Sequence, residues 1–197
     1  TAEIKTVKKF LKYLWDDFPT LDFANPFLKI SLDPQIRAPI NDYMGLCAKF
    51  YYFTLNVTTI MPEGSAAVQS QRWHRDPEDK KICKIFVYLN DVDEGGGPFI
   101  YVRGSQHGGK WRNIFPQRPP KGFYPPVGSI EKIIPPSDIN IYTGPACTVI
   151  FCDTAGLHKG GYATKHDRIM FTAGYSSNAS PWPLRYQIPA GLEAKNY

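Results

Sequence analysis

Residues 52–58 read Tyr-Phe-Thr-Leu-Asn-Val-Thr, and residues 82–90 read Ile-Cys-Lys-Ile-Phe-Val-Tyr-Leu-Asn. In both stretches one set of side chains alternates with another at every second position, which is the period of a β-strand with two different faces. Both stretches are therefore predicted to be strands. Further strand candidates are Phe99–Val102, Asn140–Tyr142, Cys147–Cys152 and Ile169–Tyr175.

The beginning of the chain has a different period. Apolar residues recur at three- and four-residue spacing over residues 3–18, which predicts an amphipathic helix. Asp33 followed by Pro34 is a typical helix start, and this second helix is expected to run to about Lys49 with a break at Pro39. Helices followed by many short strands predict an α+β, mainly β fold with an antiparallel barrel or sandwich.

The length of 197 residues predicts a single domain over residues 1–197. We expect a helical N-terminal part over residues 1–49 and a strand-rich core over residues 50–176. The stretch 108–136 is rich in proline and glycine and is expected to be a long inserted loop of functional importance.

Composition narrows the range of functions. The net charge is +5 with no dense run of lysine or arginine, so nucleic acid is not expected as a partner. No stretch is apolar over the length needed to cross a bilayer, so we expect no membrane partner. The four cysteines form no CxxC pair and are interpreted as buried free thiols in the cytoplasm. A small-molecule substrate is the expected partner, and the composition leaves the oligomeric state open.

The stretch Trp73-His74-Arg75-Asp76 carries the clearest chemical signal. Residues two apart on a strand share a face, so His74 and Asp76 could offer an imidazole and a carboxylate to one metal ion. A His-x-Asp pair is common by chance, and an ordinary surface loop is the alternative interpretation.

Two further residues lie near the ends of predicted strands. His158 follows the predicted strand Cys147–Cys152 after a short turn, which places it at the rim of a barrel. Arg168 opens the predicted strand Ile169–Tyr175, and an inward-facing arginine there is costly unless it meets an anion. Its guanidinium matches a carboxylate in two-point geometry.

Together His74, Asp76 and His158 suit a facial triad of two histidines and one carboxylate, the arrangement of non-haem Fe(II) oxygenases. The free positions on the metal would take a 2-oxo acid and O2, and Arg168 would hold the far carboxylate of that acid. Two alternatives stay open: a non-catalytic cupin-like binding module, and a zinc hydrolase using the same three ligands. Both leave Arg168 without a task.

The order His-x-Asp, Gly97–Ser105, a long loop, His158 and Arg168 resembles the phytanoyl-CoA dioxygenase family over residues 50–176. The resemblance implies an Fe(II)/2-oxoglutarate-dependent dioxygenase with a double-stranded β-helix (jelly-roll) core and N-terminal helices packed on one sheet. It implies His74, Asp76 and His158 as iron ligands, Arg168 as the partner of the 2-oxoglutarate C5 carboxylate, and hydroxylation of a small organic substrate with O2. The family usually has proline at the position of Arg103.

Alternation along the strands adds candidates. Asn56 lies on the polar face of its strand and could bind 2-oxoglutarate, and Gln71 is a similar candidate three residues before His74. Lys84 is interpreted as a surface lysine rather than an anion contact. His107 is expected to be structural and His166 to be exposed. The aromatic residues of the long loop either cover a substrate or pin the loop; they are Trp111, Phe115, Phe123 and Tyr124.

Overall fold

The computed structural model describes residues 10–16, 18–120 and 123–190. Eight strands in this part of the chain are β1 (Leu11–Tyr13), β2 (Lys49–Thr58), β3 (Cys83–Tyr88), β4 (Phe99–Val102), β5 (Ile139–Tyr142), β6 (Val149–Asp153), β7 (His158–Gly160) and β8 (Arg168–Ser176). The α-helices are α1 (Pro26–Leu32), α2 (Pro34–Met44) and α3 (Ser129–Ile133), and single 3₁₀ turns cover Gln69–Gln71 and Pro136–Asp138.

The strands form two antiparallel sheets. The larger sheet has the order β1-β2-β8-β3-β6, and the smaller has the order β5-β4-β7. The two sheets enclose a shared apolar layer, so the predicted α+β, mainly β, jelly-roll architecture is confirmed. The six predicted strands are all present, with ends shifted by up to three residues. The sequence pattern missed β1 and β7, which have three residues each.

The predicted helix over residues 3–18 is wrong where the structure describes it. Leu11 pairs with Thr58 and Tyr13 pairs with Asn56, so this segment is an edge strand beside β2. Residues 1–9 and 17 lie outside the described residues. Pairing with β2 satisfies the backbone donors and acceptors of the segment, and this tertiary contact outweighs the helical spacing of its apolar residues.

The two longer helices have clear start signals. Asn25 Oδ1 accepts a hydrogen bond from the amide of Phe27 (2.9 Å), and Asp33 Oδ1 accepts one from the amide of Gln35 (2.7 Å). A proline occupies the first turn in both helices. Helix α2 continues through Pro39 and ends earlier than predicted, because Gly45 takes the left-handed conformation (φ 73°) that terminates it.

Three apolar layers hold the elements together. Helices α1 and α2 cover the outer face of the larger sheet, in a cluster formed by Leu28, Ile40, Met44, Ala48, Phe50, Phe53, Cys83, Ile85, Val87, Phe171, Ala173 and Tyr175. The layer between the sheets is formed by Phe86, Tyr88, Val92, Phe99, Tyr101, Ile150, Cys152 and Met170. On the outer face of the smaller sheet, the third layer is formed by Trp73, Val102, Ile130, Ile134 and Leu157.

The cysteines divide into two classes. Cys83 and Cys152 are buried, as expected, whereas Cys47 and Cys147 are exposed, which corrects the prediction that the thiols are buried. Among the described residues, no helix combines the length and apolar character that spanning a membrane requires.

We predict that Phe171→Ala lowers the free energy of unfolding by about 3–5 kcal/mol, the usual cost of removing a buried phenyl ring. Phe171 is fully buried and its ring lies 4.9 Å from that of Phe27. Phe151 is the matched control, because it faces the same side of the larger sheet but is 45% exposed. Urea denaturation of both variants measures the difference, and an equal cost at the two positions would contradict this account of the core.

Candidate metal centre

Backbone pairing brings two distant parts of the chain together. The amide of His74 donates to the carbonyl of His158 (2.9 Å), and the amide of His158 donates back to the carbonyl of His74 (3.0 Å). Two residues further on, the amide of Asp76 donates to the carbonyl of Thr154 (2.9 Å). The structure thus brings the three predicted ligand residues to one place.

The ligand atoms of these three residues lie within 4.8 Å of one another. His74 Nε2 is 3.8 Å from Asp76 Oδ1, and His158 Nε2 is 3.7 Å from Asp76 Oδ2. Each imidazole places Nδ1 at hydrogen-bond distance from a main-chain carbonyl, Arg72 O (2.8 Å) and Gly156 O (3.0 Å). Donation from Nδ1 leaves the Nε2 lone pairs directed at the shared space, so the donor set fits a divalent transition metal.

The protonation states suit metal binding. Burial and the neighbouring His74 lower the pKa of His158 to about 3, so its imidazole is neutral at pH 7. Burial alone would raise the pKa of Asp76, but Lys84 and the two histidines outweigh burial and hold it below its ordinary value. Asp76 is therefore an anion at neutral pH. One carboxylate and at least one neutral imidazole are ready to bind a cation.

The interpretation of Lys84 as a surface lysine is wrong. Lys84 is only 8% exposed, and its Nζ lies 2.5 Å from Asp76 Oδ2. It lies in β3, an interior strand of the larger sheet, with its side chain turned toward the metal ligands rather than toward solvent. Strand alternation correctly placed Lys84 on the same side as Asn56. It could not tell whether that side faces solvent or the barrel interior, because this depends on tertiary packing.

All six predicted site residues line one cavity of about 300 Å³: His74, Asp76, His158, Arg168, Asn56 and Gln71. Residues of β2, β7 and β8 and of the His74–Asp76 segment line the cavity. The sequence prediction that these residues act together is therefore compatible with their placement, although their individual roles stay predictions.

Arg168 is the first residue of β8 and is 4% exposed. Its guanidinium donates to the carbonyl of Gly97 and to Thr58 Oγ1 (3.0 Å), while its Nε has no hydrogen-bond partner. No carboxylate of the described residues pairs with it. Burial lowers the pKa of Arg168 and Tyr88 opposes this, yet an arginine remains charged at pH 7. A buried cation thus faces the cavity without an anionic partner among the described residues.

Asn56 and Gln71 have unsatisfied polar atoms in the same cavity. Asn56 is 5% exposed and its Oδ1 has no hydrogen-bond partner. Gln71 is 4% exposed; its Oε1 accepts from the amide of Val68 (3.1 Å), while its Nε2 has no partner. A buried polar atom without a partner is costly, so these atoms are suited to a polar ligand or to water.

Arg75, between the two metal-ligand candidates, is a residue whose importance the sequence did not indicate. Its buried guanidinium donates to main-chain carbonyls, including Phe115 O (2.8 Å), Ala155 O (2.8 Å) and Ile114 O (3.0 Å). Burial lowers its pKa to about 10, so it stays charged at neutral pH. Arg75 ties the long loop and the turn before His158 to the metal-ligand segment.

The aromatic residues of the long loop divide between the two predicted tasks. Trp111 and Phe115 pack against the third apolar layer and pin the loop to the smaller sheet. Tyr124 lines the cavity instead, with its ring 5.7 Å from that of His74 and 5.2 Å from the guanidinium of Arg72. Tyr124 is the loop residue best placed to contact a substrate.

The other two histidines lie outside the centre. His107 is exposed, and His166 is partly exposed with its Nε2 3.5 Å from Asp93 Oδ1. Neither belongs to the group of ligand atoms formed by the three site residues. The structural role expected for His107 stays a prediction, and His166, expected to be exposed, is only partly so.

No family model matches the chain, and no curated protein matches it by sequence. Solved structures match it by fold. The epimerase SnoN in complex with Fe3+, alpha ketoglutarate and nogalamycin RO aligns with a TM-score of 0.59 and 16% identity, over 88% of this chain and 66% of SnoN. HygX from Streptomyces hygroscopicus with nickel, 2-oxoglutarate and hygromycin B bound aligns with a TM-score of 0.56 and 17% identity, over 89% of this chain and 74% of HygX. The chain therefore shares the fold of these enzymes and spans just under two thirds of the SnoN chain.

We predict that the protein binds one Fe(II), or Mn(II) as a redox-stable substitute, and that His158→Ala weakens this binding by more than about 100-fold. Loss of an outer hydrogen-bond partner of a metal ligand already costs about 10–100-fold, and a ligand contributes more. His166→Ala is the control, because it removes an imidazole outside the centre. Anaerobic calorimetry measures both affinities; wild-type affinity in His158→Ala would remove this residue from the centre.

Proposed function

We propose that the protein is an Fe(II)- and 2-oxoglutarate-dependent oxygenase that hydroxylates a small organic substrate. One observation carries the proposal: a triad of two histidines and an aspartate shares a cavity with a buried arginine that has no anionic partner among the described residues. A metal site alone is compatible with many chemistries. The arginine beside it selects a ligand that binds the metal at one end and carries a carboxylate at the other.

His74, Asp76 and His158 would hold the metal on one face and leave its other face to the cavity. The reaction converts 2-oxoglutarate, O2 and a substrate C–H bond into succinate, CO2 and a C–OH group. Fe(II), when bound, supplies the activation of O2 that this reaction requires. The protein's own part is to fix the ligands, orient the cosubstrate and exclude water.

Arg168 would receive the C5 carboxylate of 2-oxoglutarate in charge-assisted hydrogen bonds. Thr58 Oγ1, which accepts from the guanidinium, holds it in place and is itself a hydroxyl that could reach the same carboxylate. Gly97, whose carbonyl accepts the second bond, has φ 69°, and an added Cβ would lie 2.7 Å from the amide nitrogen of Ala163. A glycine is therefore needed at this position, because φ is positive and the backbone of residues 161–163 leaves no room for a Cβ.

Asn56 and Gln71 would bind the polar groups of the cosubstrate or of the substrate. The Gln71 Nε2 can donate a hydrogen bond, while the unpartnered Asn56 Oδ1 can accept one. Tyr124 would form the wall of the cavity on the substrate side. These assignments follow from placement in the cavity and from unsatisfied hydrogen-bonding capacity.

Similar structures support this proposal through their bound groups. SnoN was crystallised with Fe3+ and alpha ketoglutarate, and HygX with nickel and 2-oxoglutarate. Among these neighbours SnoN is named an epimerase and ThoJ a non-heme monooxygenase, so proteins with this fold are named for more than one kind of reaction. We assign hydroxylation, and membership of the phytanoyl-CoA dioxygenase family, on the resemblance of the motifs.

The competing function is a cupin-like module that binds a metal or ligand without turnover. It would use the same triad but has no need of a buried, unpaired arginine beside it. The two functions therefore predict different binding and turnover of 2-oxoglutarate, and two measurements distinguish them.

First, we predict slow formation of succinate from 2-oxoglutarate by the Fe(II)-loaded protein in air, even without a substrate. The expectation follows because the cavity offers a site for the cosubstrate independent of any substrate. Mass spectrometry of succinate, with a metal-free sample and a His158→Ala sample as controls, measures the rate. Succinate formation no faster than in the controls, together with no binding of 2-oxoglutarate, would favour the binding module.

Second, we predict that Arg168→Ala weakens 2-oxoglutarate binding by about 10- to 1000-fold. A hydrogen bond to a charged group contributes about 1.5–3 kcal/mol, and 1.4 kcal/mol corresponds to a factor of ten. Arg168→Lys should recover part of the affinity, because a single ammonium cannot reproduce the two-point geometry. Metal affinity should change little.

Arg103→Ala is the matched control for this titration, because the Arg103 side chain is 68% exposed and its guanidinium already pairs with Asp138. Calorimetry with 2-oxoglutarate on the Mn(II)-loaded proteins gives the affinities. Equal affinity in wild type and Arg168→Ala would reject the assignment of the cosubstrate.

A further inference from the structure

A buried lysine lies against the metal-ligand candidates, and the proposed reaction gives it no task. Lys84 occupies β3, where it pairs with Gly174 of β8 on one side and with Cys152 of β6 on the other. Its ammonium lies 2.5 Å from Asp76 Oδ2 and 3.9 Å from Glu78 Oε1. A cation at this depth is therefore held between two carboxylates.

Residues of the neighbouring strands β8 and β2 leave room for an aromatic ring beside this ammonium. Gly174 pairs with both Lys84 and Tyr52, so it separates them across the sheet. A Cβ added to Gly174 would lie 2.1 Å from the Tyr52 ring, and only glycine leaves room for the ring to lie there. The Lys84 ammonium is 5.2 Å from the centre of that ring, within the range of a cation–π interaction. A carboxylate and an aromatic ring thus hold the cation from two sides.

The two oxygens of Asp76 have different surroundings. Each oxygen lies near one imidazole, Oδ1 3.8 Å from His74 Nε2 and Oδ2 3.7 Å from His158 Nε2, but only Oδ2 accepts the bond from Lys84. A carboxylate oxygen that already accepts a short bond from an ammonium has less lone-pair density to offer a metal. The geometry therefore distinguishes the oxygen left for a metal from the oxygen that is held.

We propose that Lys84 is a positioning residue that acts through Asp76. It holds the carboxylate by Oδ2, leaves Oδ1 for the metal, and supplies positive charge to Asp76 when no metal is bound. This role rests on the proposed metal centre but is not part of the proposed reaction. The Lys84 ammonium also opposes metal binding, because a fixed cation beside Asp76 repels an incoming divalent cation. Lys84 therefore stabilises the metal-free site and weakens metal binding.

The first test uses the metal-free protein. Lys84→Met keeps the length of the side chain and removes its charge, which leaves Asp76 buried without its cation. Its melting temperature should fall by at least about 5 °C. Lys81→Met is the matched control: the Lys81 ammonium also lies over a tyrosine ring, that of Tyr43 (5.0 Å), and donates one hydrogen bond, to the Tyr43 carbonyl, without touching Asp76. The control should stay near wild type.

The second test measures metal affinity. Lys84→Met should bind Mn(II) at least about tenfold more tightly than wild type, since removal of a nearby like charge exceeds this threshold even at the effective dielectric of a protein. Tighter binding stabilises the folded state more, so adding Mn(II) should raise the melting temperature of Lys84→Met by more than it raises that of wild type. Lys84→Arg, which keeps the charge, should move both values back toward wild type. The visible spectrum of the Co(II)-loaded variant should change as Asp76 Oδ2 becomes free to bind.

If Lys84→Met fails to fold, recovery of a folded protein in the double variant Asp76→Asn with Lys84→Met would still support the proposal; if it folds, a double-mutant cycle measures the coupling. Asp76→Asn with Lys84→Met removes both charges, so the double variant should be more stable than the sum of the single changes predicts. Additive effects, or unchanged or weaker Mn(II) affinity in Lys84→Met, would overturn the role of Lys84 and leave the proposed oxygenase intact. Absence of metal binding by wild type would instead overturn the metal centre, while the cycle would still decide whether Lys84 holds Asp76.

Discussion

The site depends on one pair of main-chain contacts, those that join residue 74 to residue 158. Each backbone donates one hydrogen bond to the other, at 2.9 and 3.0 Å, and these bonds attach the His74–Asp76 segment to the edge of the smaller sheet beside β7. Because backbone pairing sets the distance between facing side chains, the separation of the two imidazoles follows from the sheet and not from loop conformation. Of the three candidate metal ligands, His158 thus lies in a strand and His74 is paired with it, and a site on a rigid element holds its geometry more closely than one on a loop.

The second constraint is that buried charged groups need partners, and residues close to them in the structure provide these partners. Asp76 is neutralised by Lys84, and Lys84 is in turn shared with Glu78. Among the described residues Arg75 has no carboxylate partner, and it instead donates to the carbonyls of the long loop and of the turn before His158. The long loop also donates a hydrogen bond in the other direction, from Gln117 Nε2 to the Asp79 carbonyl (2.8 Å). The segment that carries the ligands is therefore also the anchor of the loop, so a change in the loop is transmitted directly to the site.

Local patterns predicted much of this arrangement, and tertiary contacts decided the rest. Alternation over residues 52–58 and 82–90 correctly predicted β2 and β3 as strands, because in these two strands the period-two pattern and the packing agree. The same pattern selected Asn56, which lines the cavity. Local patterns failed for Leu11–Tyr13, whose apolar spacing is helical but whose backbone pairs with an open strand edge. They failed for Lys84 because strand alternation assigns a face and does not say whether that face meets water.

Two buried arginines show how a structural role differs from a functional one. Arg75 is 5% exposed and Arg168 is 4% exposed, so both are removed from water to the same extent. Every nitrogen of the Arg75 guanidinium meets a main-chain carbonyl. Arg168 donates to one main-chain carbonyl and one threonine hydroxyl, its Nε has no partner among the described residues, and it borders a cavity. A purely structural arginine gains stability by saturating its donors, as Arg75 does, because each buried unsatisfied donor costs about 1–3 kcal/mol. In the proposed function, the carboxylate of the arriving ligand would complete the hydrogen bonding of Arg168.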